Sequence, residues 1–246
     1  MKWISKPPLG TQLDWSNPLN KGLAGFWLMN EGMGNKVQDL SMNGNTGTLT
    51  GIAFPPTAAS GWNPGRKGVG LNFDGVNDYI SIPDNDVLTN SPYFTWSFWA
   101  KQTTYVSGAG LLDKYYTTGN QRSWRIRSTS TNKLSVTLAS ILTAGTDYET
   151  SLPAGFLSDN TFYHFVIIYD GVLSKLHFYR DGVFIETINV TQSGNLANNT
   201  IALYIGRYQL GANFFNGTID EVRIQNRALS ASEIKELYIN PYGMFL

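Results

Sequence analysis

Three groups of residues in this chain have the types and spacing for chemistry. The first centres on Asp220, in the run Phe215-Asn216-Gly217-Thr218-Ile219-Asp220-Glu221-Val222-Arg223-Ile224. A strand there, with its period of two, sets Thr218, Asp220, Val222 and Ile224 on one face, so a carboxylate shares a side with two aliphatic side chains of core type. A buried carboxylate needs a partner, and a bound cation or a dense set of hydrogen bonds is the usual one. Glu221 and Arg223 then fall on the opposite face, where they are expected to form a surface pair worth under about 1 kcal/mol.

The second group is Asp39-Leu40-Ser41-Met42-Asn43-Gly44-Asn45. Oxygen-bearing side chains at alternate positions, with a glycine before the last, match the first half of a calcium loop. The second half is missing: Thr50 stands where an EF-hand loop carries its bidentate glutamate. The competing reading is a turn that Asp39, Ser41, Asn43 and Asn45 close by bonding to the backbone. The third group is Tyr115, Tyr116, Trp124 and Tyr148, in or near the longer loops between residues 102 and 160. Sugar sites need exposed rings with amides and carboxylates beside them, and these four could form such a platform. Packing beneath their own loops or at an oligomer contact is the preferred alternative.

Other chemistry is poorly represented. The chain has no cysteine, which removes disulfides, thiolate metal sites and thiol nucleophiles together. No Gly-x-Ser-x-Gly, His-Glu-x-x-His or phosphate-loop pattern occurs. His164 and His177 read as hydrogen-bonded strand histidines, and Asp74, Asp78, Asp170 and Asp181 as turn formers. The formal net charge is zero and basic residues do not cluster, so nucleic-acid binding is not expected. The start, Met1-Lys2-Trp3-Ile4-Ser5-Lys6-Pro7-Pro8, lacks a signal-peptide apolar run, and no run of ~18 apolar residues is present to span a bilayer.

The elements that would position these groups are short strands. Abundant glycine, 13% aromatics and only 15% charged residues suit many strands joined by turns, and 246 residues fit one large all-β domain. Phe94, Trp96, Phe98 and Ala100 alternate with Thr95, Ser97 and Trp99, the pattern of a half-buried strand. Val69–Phe73 and Tyr79–Ile82 read as two strands joined by an Asp-Gly turn. Tyr163–Tyr169, Leu176–Tyr179 and Val183–Glu186 read as an antiparallel meander with Asp-Gly at both corners. Ser230 with Glu233 forms a capping box, Leu229 can staple onto Ile234, and Asn240-Pro241 ends the helix. The expected fold is all-β: a two-sheet antiparallel sandwich with one short C-terminal helix. Residues 1–21 form an N-terminal arm, with Trp3 and Trp15 as anchors on the domain or a neighbouring subunit, and residues 22–246 form the domain.

The order of motifs resembles the laminin-G-like jelly roll of the concanavalin A-like lectin and glucanase superfamily. The resemblance rests on Gly22-Leu23-Ala24-Gly25-Phe26-Trp27 with Asn30-Glu31-Gly32, the Asp39–Gly47 stretch, Leu71-Asn72-Phe73-Asp74-Gly75-Val76-Asn77-Asp78-Tyr79-Ile80, Phe162-Tyr163-His164, Tyr169-Asp170-Gly171, Arg180-Asp181-Gly182 and the Phe215–Ile224 run through Leu237-Tyr238. It covers residues 22 to about 240. It implies a structural Ca2+ held between the Asp39 turn and Asp220, although relatives usually carry glycine where this chain has Met42. Superfamily glucanases project two carboxylates from one strand, and no Glu-x-Asp-x-Glu strand is present here. Adjacent Asp220 and Glu221 are not expected to substitute, since strand neighbours point to opposite faces.

The arm residues Pro7-Pro8-Leu9-Gly10-Thr11 with Asp14-Trp15 resemble stand-alone laminin-G-like proteins encoded by tailed bacteriophages. This likeness implies a non-enzymatic virion-surface domain, a capsid decoration or fibre-associated protein that contacts other virion proteins and glycans, or itself as a homo-oligomer, and leaves the cell by lysis. A carbohydrate-binding module of a bacterial surface or polysaccharide-use system is the alternative, and a glycoside hydrolase or lyase a remote one.

Overall fold

A computed structural model describes residues 5–129, 133–140, 147–152, 158–208 and 213–246. Among these, sixteen strands form two eight-stranded sheets. Numbered along the chain, the first sheet runs in spatial order β14 (Val183–Asn189), β13 (Lys175–Arg180), β12 (Phe162–Asp170), β7 (Tyr93–Gln102), β16 (Asn216–Gln225), β5 (Val69–Asp74) and β4 (Gly61–Pro64), with β1 (Leu23–Trp27) also paired to β16. The second runs β11 (Tyr148–Ser151), β10 (Lys133–Leu138), β9 (Gln121–Thr129), β8 (Gly110–Tyr116), β15 (Leu203–Ile205), β6 (Tyr79–Ile82), β3 (Gly47–Thr50) and β2 (Lys36–Val37). Each neighbouring pair is antiparallel. Among the described residues, no helix is long and apolar enough to cross a membrane.

Alternation builds the core between the sheets. Phe94, Trp96, Phe98 and Ala100 of β7 meet Trp124, Ile126, Leu134 and Val136 of the second sheet there. The opposite face of β7 is not solvated, as a half-buried strand would be. A second apolar cluster covers the outside of the first sheet, joining Val166 and Ile168 of β12 to Leu13 and Leu19 of the arm and to Leu229, Ile234, Leu237, Tyr242 and Phe245. The last residues belong to helix α1 (Ala231–Ile239) and its flanks.

The local devices around α1 are those its sequence expects. The Ser230 hydroxyl accepts from the Glu233 amide, the Glu233 carboxylate accepts from the Ser230 amide, and Leu229 and Ile234 share the outer cluster. The helix stops at Ile239, before Asn240-Pro241. The β12–β13–β14 meander also forms, with Asp170 accepting from the Val172 and Leu173 amides at one corner and Asp181-Gly182 at positive φ at the other. Asp74-Gly75 behaves differently. Asp74 accepts from the Val76 and Asn77 amides, but β5 and β6 lie in different sheets, so the turn crosses between layers and closes no hairpin.

The arm packs on its own domain from Lys6 onward. Leu13 bridges Phe245, the Asn20 amide donates to the Asp14 and Met244 carbonyls, and Leu13 and Leu19 are buried. Trp3 lies outside the described residues. Trp15 is 45% exposed and is not a buried anchor.

Candidate functional site

The Asp39 turn is closed by its own chain. Asp39 Oδ1 accepts from the Phe26 and Ser41 amides, and Oδ2 from the Ser41 hydroxyl and the Asn45 amide. Asn43 donates to the Leu23 and Ala24 carbonyls, Asn45 donates to the Ala24 carbonyl, and Asn45 Oδ1 accepts from Asn85. A hard cation needs these oxygens directed at one point, and here they are spent on pinning the turn to β1. Met42 nevertheless takes the left-handed conformation, φ 67°, with its side chain 80% exposed. The Asp39, Ser41, Asn43 and Asn45 set therefore does not fit Ca2+.

Asp220 has a cationic partner of a different kind. Lys6 Nζ donates to Asp220 Oδ1 and to the Val69 carbonyl, and it reaches the Met29 carbonyl at 3.0 Å. Asp220 Oδ1 also accepts from the Glu221 amide, and Oδ2 from the Arg66 amide at 3.0 Å. Burial pushes the Asp220 carboxyl up, against the pull of the Lys6 ammonium.

The β16 strand departs from a simple period of two. Its pairing with β7 slips between Asp220 and Arg223, and Glu221 takes φ 51°. This bulge reverses the alternation: Ile219, Val222 and Ile224 all enter the inter-sheet core, while Asp220 and Glu221 both lie on the outer side. Glu221 is buried and accepts from the Tyr242 hydroxyl. Arg223 is buried as well, with its guanidinium 4.3 Å from the Phe26 ring centroid and donating to the Leu19 carbonyl at 2.9 Å. The expected Glu221–Arg223 surface pair is thus an interior arrangement under the termini. Burial raises the Glu221 carboxyl and lowers the Arg223 guanidinium to about 9. The two neighbouring carboxylates do share a side, contrary to expectation, but the arm and C-terminal segment seal them from any substrate.

His164 lies in the same layer, 3% exposed, with Nε2 2.9 Å from the Ser97 hydroxyl and its ring 5.0 Å from Trp99. Burial, then the Arg223 charge, lowers it to about 3, so it is neutral and structural. His177 meets the Thr187 hydroxyl across β13 and β14.

The proposed aromatic platform does not assemble. Trp124 is fully buried against Trp96, 5.0 Å between centroids, and donates to the Leu88 carbonyl. Tyr148 packs against the core and donates to the Asn189 carbonyl. Tyr116 is partly buried at the end of β8. Tyr115 is buried under the Arg125 guanidinium, 4.3 Å away, and donates to Asp147. Burial and that carboxylate push its hydroxyl up to about 12.

A different set of rings lies on the outer face of the second sheet. Because Ile80 and Ile82, Leu203 and Ile205, and Trp124 and Ile126 point into the core, Tyr79, Tyr204 and Arg125 point out. Tyr79 and Tyr204 meet edge to face at 5.7 Å, and Phe214 adds a third ring 6.3 Å from Tyr79. The Arg207 guanidinium lies 4.7 Å from the Tyr79 centroid, 4.9 Å from Tyr204 and 5.9 Å from Phe214. All four side chains are partly exposed. Arg125 continues the row, 5.2 Å from the Tyr208 ring and 3.6 Å from Glu149. Burial opposes ionisation of Glu149, yet the Arg127 guanidinium holds it below its usual range. These residues were missed as a site, although the alternation in Tyr79-Ile80-Ser81-Ile82 and Leu203-Tyr204-Ile205 carries the signal.

The fold is shared with binding domains of known structure. The binding domain of Paraclostridial Mosquitocidal Protein 1 matches with a TM-score of 0.71 at 17% identity, covering 92% of this chain and 53% of that one. The binding domain of botulinum neurotoxin DC in complex with SialylT matches with a TM-score of 0.62 at 16% identity, covering 89% and 52%. Domain 4 of AbnA, a GH43 extracellular arabinanase from Geobacillus stearothermophilus, in complex with arabinotriose, gives 0.64 at 18% identity, covering 88% and 98%. This chain thus spans about half of each toxin binding domain and nearly all of the arabinanase domain. No curated protein matches its sequence. A family model described as the concanavalin A-like lectin/glucanases superfamily matches residues 74–235. With that match over well more than half its length, and with two antiparallel sheets in a sandwich, the chain belongs to the concanavalin A-like lectin/glucanase superfamily.

Proposed function

We propose that the chain is a non-catalytic binding domain that receives a glycan on the outer face of its second sheet. The observation that carries this reading is Arg207 set among Tyr79, Tyr204 and Phe214, four partly exposed side chains on the face opposite the one covered by the termini. Aromatic rings stack on the apolar faces of sugars, and a guanidinium held by rings offers planar donors to hydroxyls or to the carboxylate of an acidic sugar. Because the rings already hold Arg207, little ordering cost remains at binding. Arabinotriose and SialylT bound to domains of the same fold support a saccharide ligand. A screen of neutral and acidic oligosaccharides is expected to return binders that Tyr204→Ala and Arg207→Ala each weaken at least about tenfold. A screen without binders, or polysaccharide cleavage by the chain, overturns the proposal.

A second surface favours protein contact. Trp15 and Met42, with Leu13, Leu40 and the Gly10–Gln12 segment, line a groove of about 510 Å³ beside the Asp39 turn. We propose this groove as the contact surface of a virion-surface domain, capsid decoration or fibre-associated, toward other virion proteins. Capsid or tail genes beside the coding sequence, and loss of co-assembly in Trp15→Ala with glycan binding retained, are the expected results. Polysaccharide-use genes there would favour a carbohydrate-binding module instead.

A further inference from the structure

Near the end of β8 a lysine, an asparagine and an aspartate meet in an arrangement that can do chemistry on the chain itself. The Lys114 side chain is fully buried, and its Nζ donates to Asn199 Oδ1 at 2.9 Å, to Asp84 Oδ1 at 2.6 Å and to the Ile201 carbonyl at 2.6 Å. Asn199 lies 85 positions further along the chain, is 2% exposed, and donates from its amide nitrogen to the Lys114 and Gln121 carbonyls. These bonds fix which end of the amide faces the lysine: the oxygen meets Nζ, and the nitrogen is held by two acceptors. Burial lowers the Lys114 pKa against the pull of the Asp84 carboxylate, which brings the neutral, nucleophilic amine within reach. The Asp84 side chain, 29% exposed, gives the buried nitrogen a proton acceptor that also reaches solvent.

We infer that Lys114 and Asn199 join in an intramolecular isopeptide bond, with Asp84 moving the protons. The Asp84 carboxylate takes one proton from the ammonium, and the freed Nζ lone pair attacks Asn199 Cγ, one bond beyond the oxygen that Nζ contacts. As the tetrahedral centre collapses, the Cγ–Nδ2 bond breaks and a second proton passes from Nζ to the leaving nitrogen. Ammonia departs with the proton that Asp84 held, as ammonium. One C–N bond replaces another, Asp84 ends ionised as it began, and no oxidant or added reactant is needed. Folding alone supplies the proximity that makes an amine–amide exchange fast enough to occur. The product fastens residues 190–202, the connection from β14 to β15 that contains no strand or helix, to β8, closing a long loop covalently. None of the rings of the glycan face takes part, so the inference stands independently of that site.

Intact-mass spectrometry of the denatured full-length chain, read against the mass calculated for its own N-terminus, tests this together with a tryptic peptide map. The unaltered chain is expected to be lighter by one ammonia, with Lys114 and Asn199 in one branched peptide that is not cleaved after Lys114. Lys114→Arg and Asn199→Ala should each keep their full mass. Asp84→Asn should fold and join about a hundredfold more slowly, the usual loss when an acid–base group is removed. An unaltered chain still of full mass after prolonged incubation in the folded state overturns the inference and leaves a buried ion pair in its place. An ammonia loss that maps to a succinimide at an Asn-Gly pair such as Asn43-Gly44 overturns it equally. Asp84→Asn joining as fast as the unaltered chain overturns the part given to Asp84. If Asp84→Asn does not fold, the mass and peptide map of the unaltered chain still decide the bond.

Discussion

Lys6 and Asp220, 214 positions apart in the chain, meet as a buried ion pair on the outer side of the first sheet. The pair ties the arm to β16, the strand that β1, β5 and β7 all flank. Arm and domain are therefore energetically one unit, since removing residues 1–20 would also strip the buried Leu13 and Leu19 from the outer cluster.

Replacing Asp220 with Asn keeps the shape and removes the charge, leaving Lys6 facing two carbonyls with its own counter-charge gone. Unfolding in denaturant should show a loss of about 3 kcal/mol, the usual cost of deleting one member of a buried pair. In the double variant with Lys6→Met the losses should fall short of additive, because the two groups report one interaction.

His164 sets a pH dependence of definite sign. Its folded pKa, about 3, lies below the ordinary 6.5, so as pH falls through 6.5 the unfolded chain takes up a proton that the native state refuses. Stability from this residue is fully present above pH 6.5 and is lost progressively toward pH 3, at up to about 1.4 kcal/mol per unit. Comparing the chain with His164→Gln between pH 7 and about 4 isolates the effect, since the other titrating groups cancel in the difference. The unaltered chain should lose ground to the variant as pH falls, and parallel profiles would contradict the assignment.

Met42 should be a stabilising site for substitution. Its left-handed backbone is strained for a side chain that is 80% exposed and contributes little packing. Met42→Gly is expected to raise the unfolding free energy by about 0.5–1 kcal/mol, read as a higher denaturation midpoint at constant m-value.

Much of the architecture was legible because local rules agree with the global fold. The β7 alternation, the β12–β14 corners and the Ser230–Glu233 cap each name their element from adjacent residues. What escaped depends on contacts distant in sequence. The Asp220–Glu221 bulge reverses which side chains face the core, and nothing in Ile219-Asp220-Glu221-Val222 marks the slip. Trp124 and Tyr148 were placed by proximity to long loops, whereas the strand pairing of β9 with β8 and β10 puts Trp124 between the sheets. Lys6 carried no signal, since an arm lysine reads as solvated until Met29, Val69 and Asp220 are brought around it. Tyr79 and Tyr204 were legible in principle from alternation, but Phe214 and Arg207 join them only through the Arg207–Phe214 bridge.

The most direct measurement is to map where a bound oligosaccharide lands, by amide chemical-shift perturbation during titration with the tightest binder from the screen. The account predicts shifts concentrated at Tyr79, Tyr204, Arg207 and Phe214 and abolished by Arg207→Ala. Shifts confined to Trp15, Leu40 and Met42, or none at saturating saccharide, would contradict it.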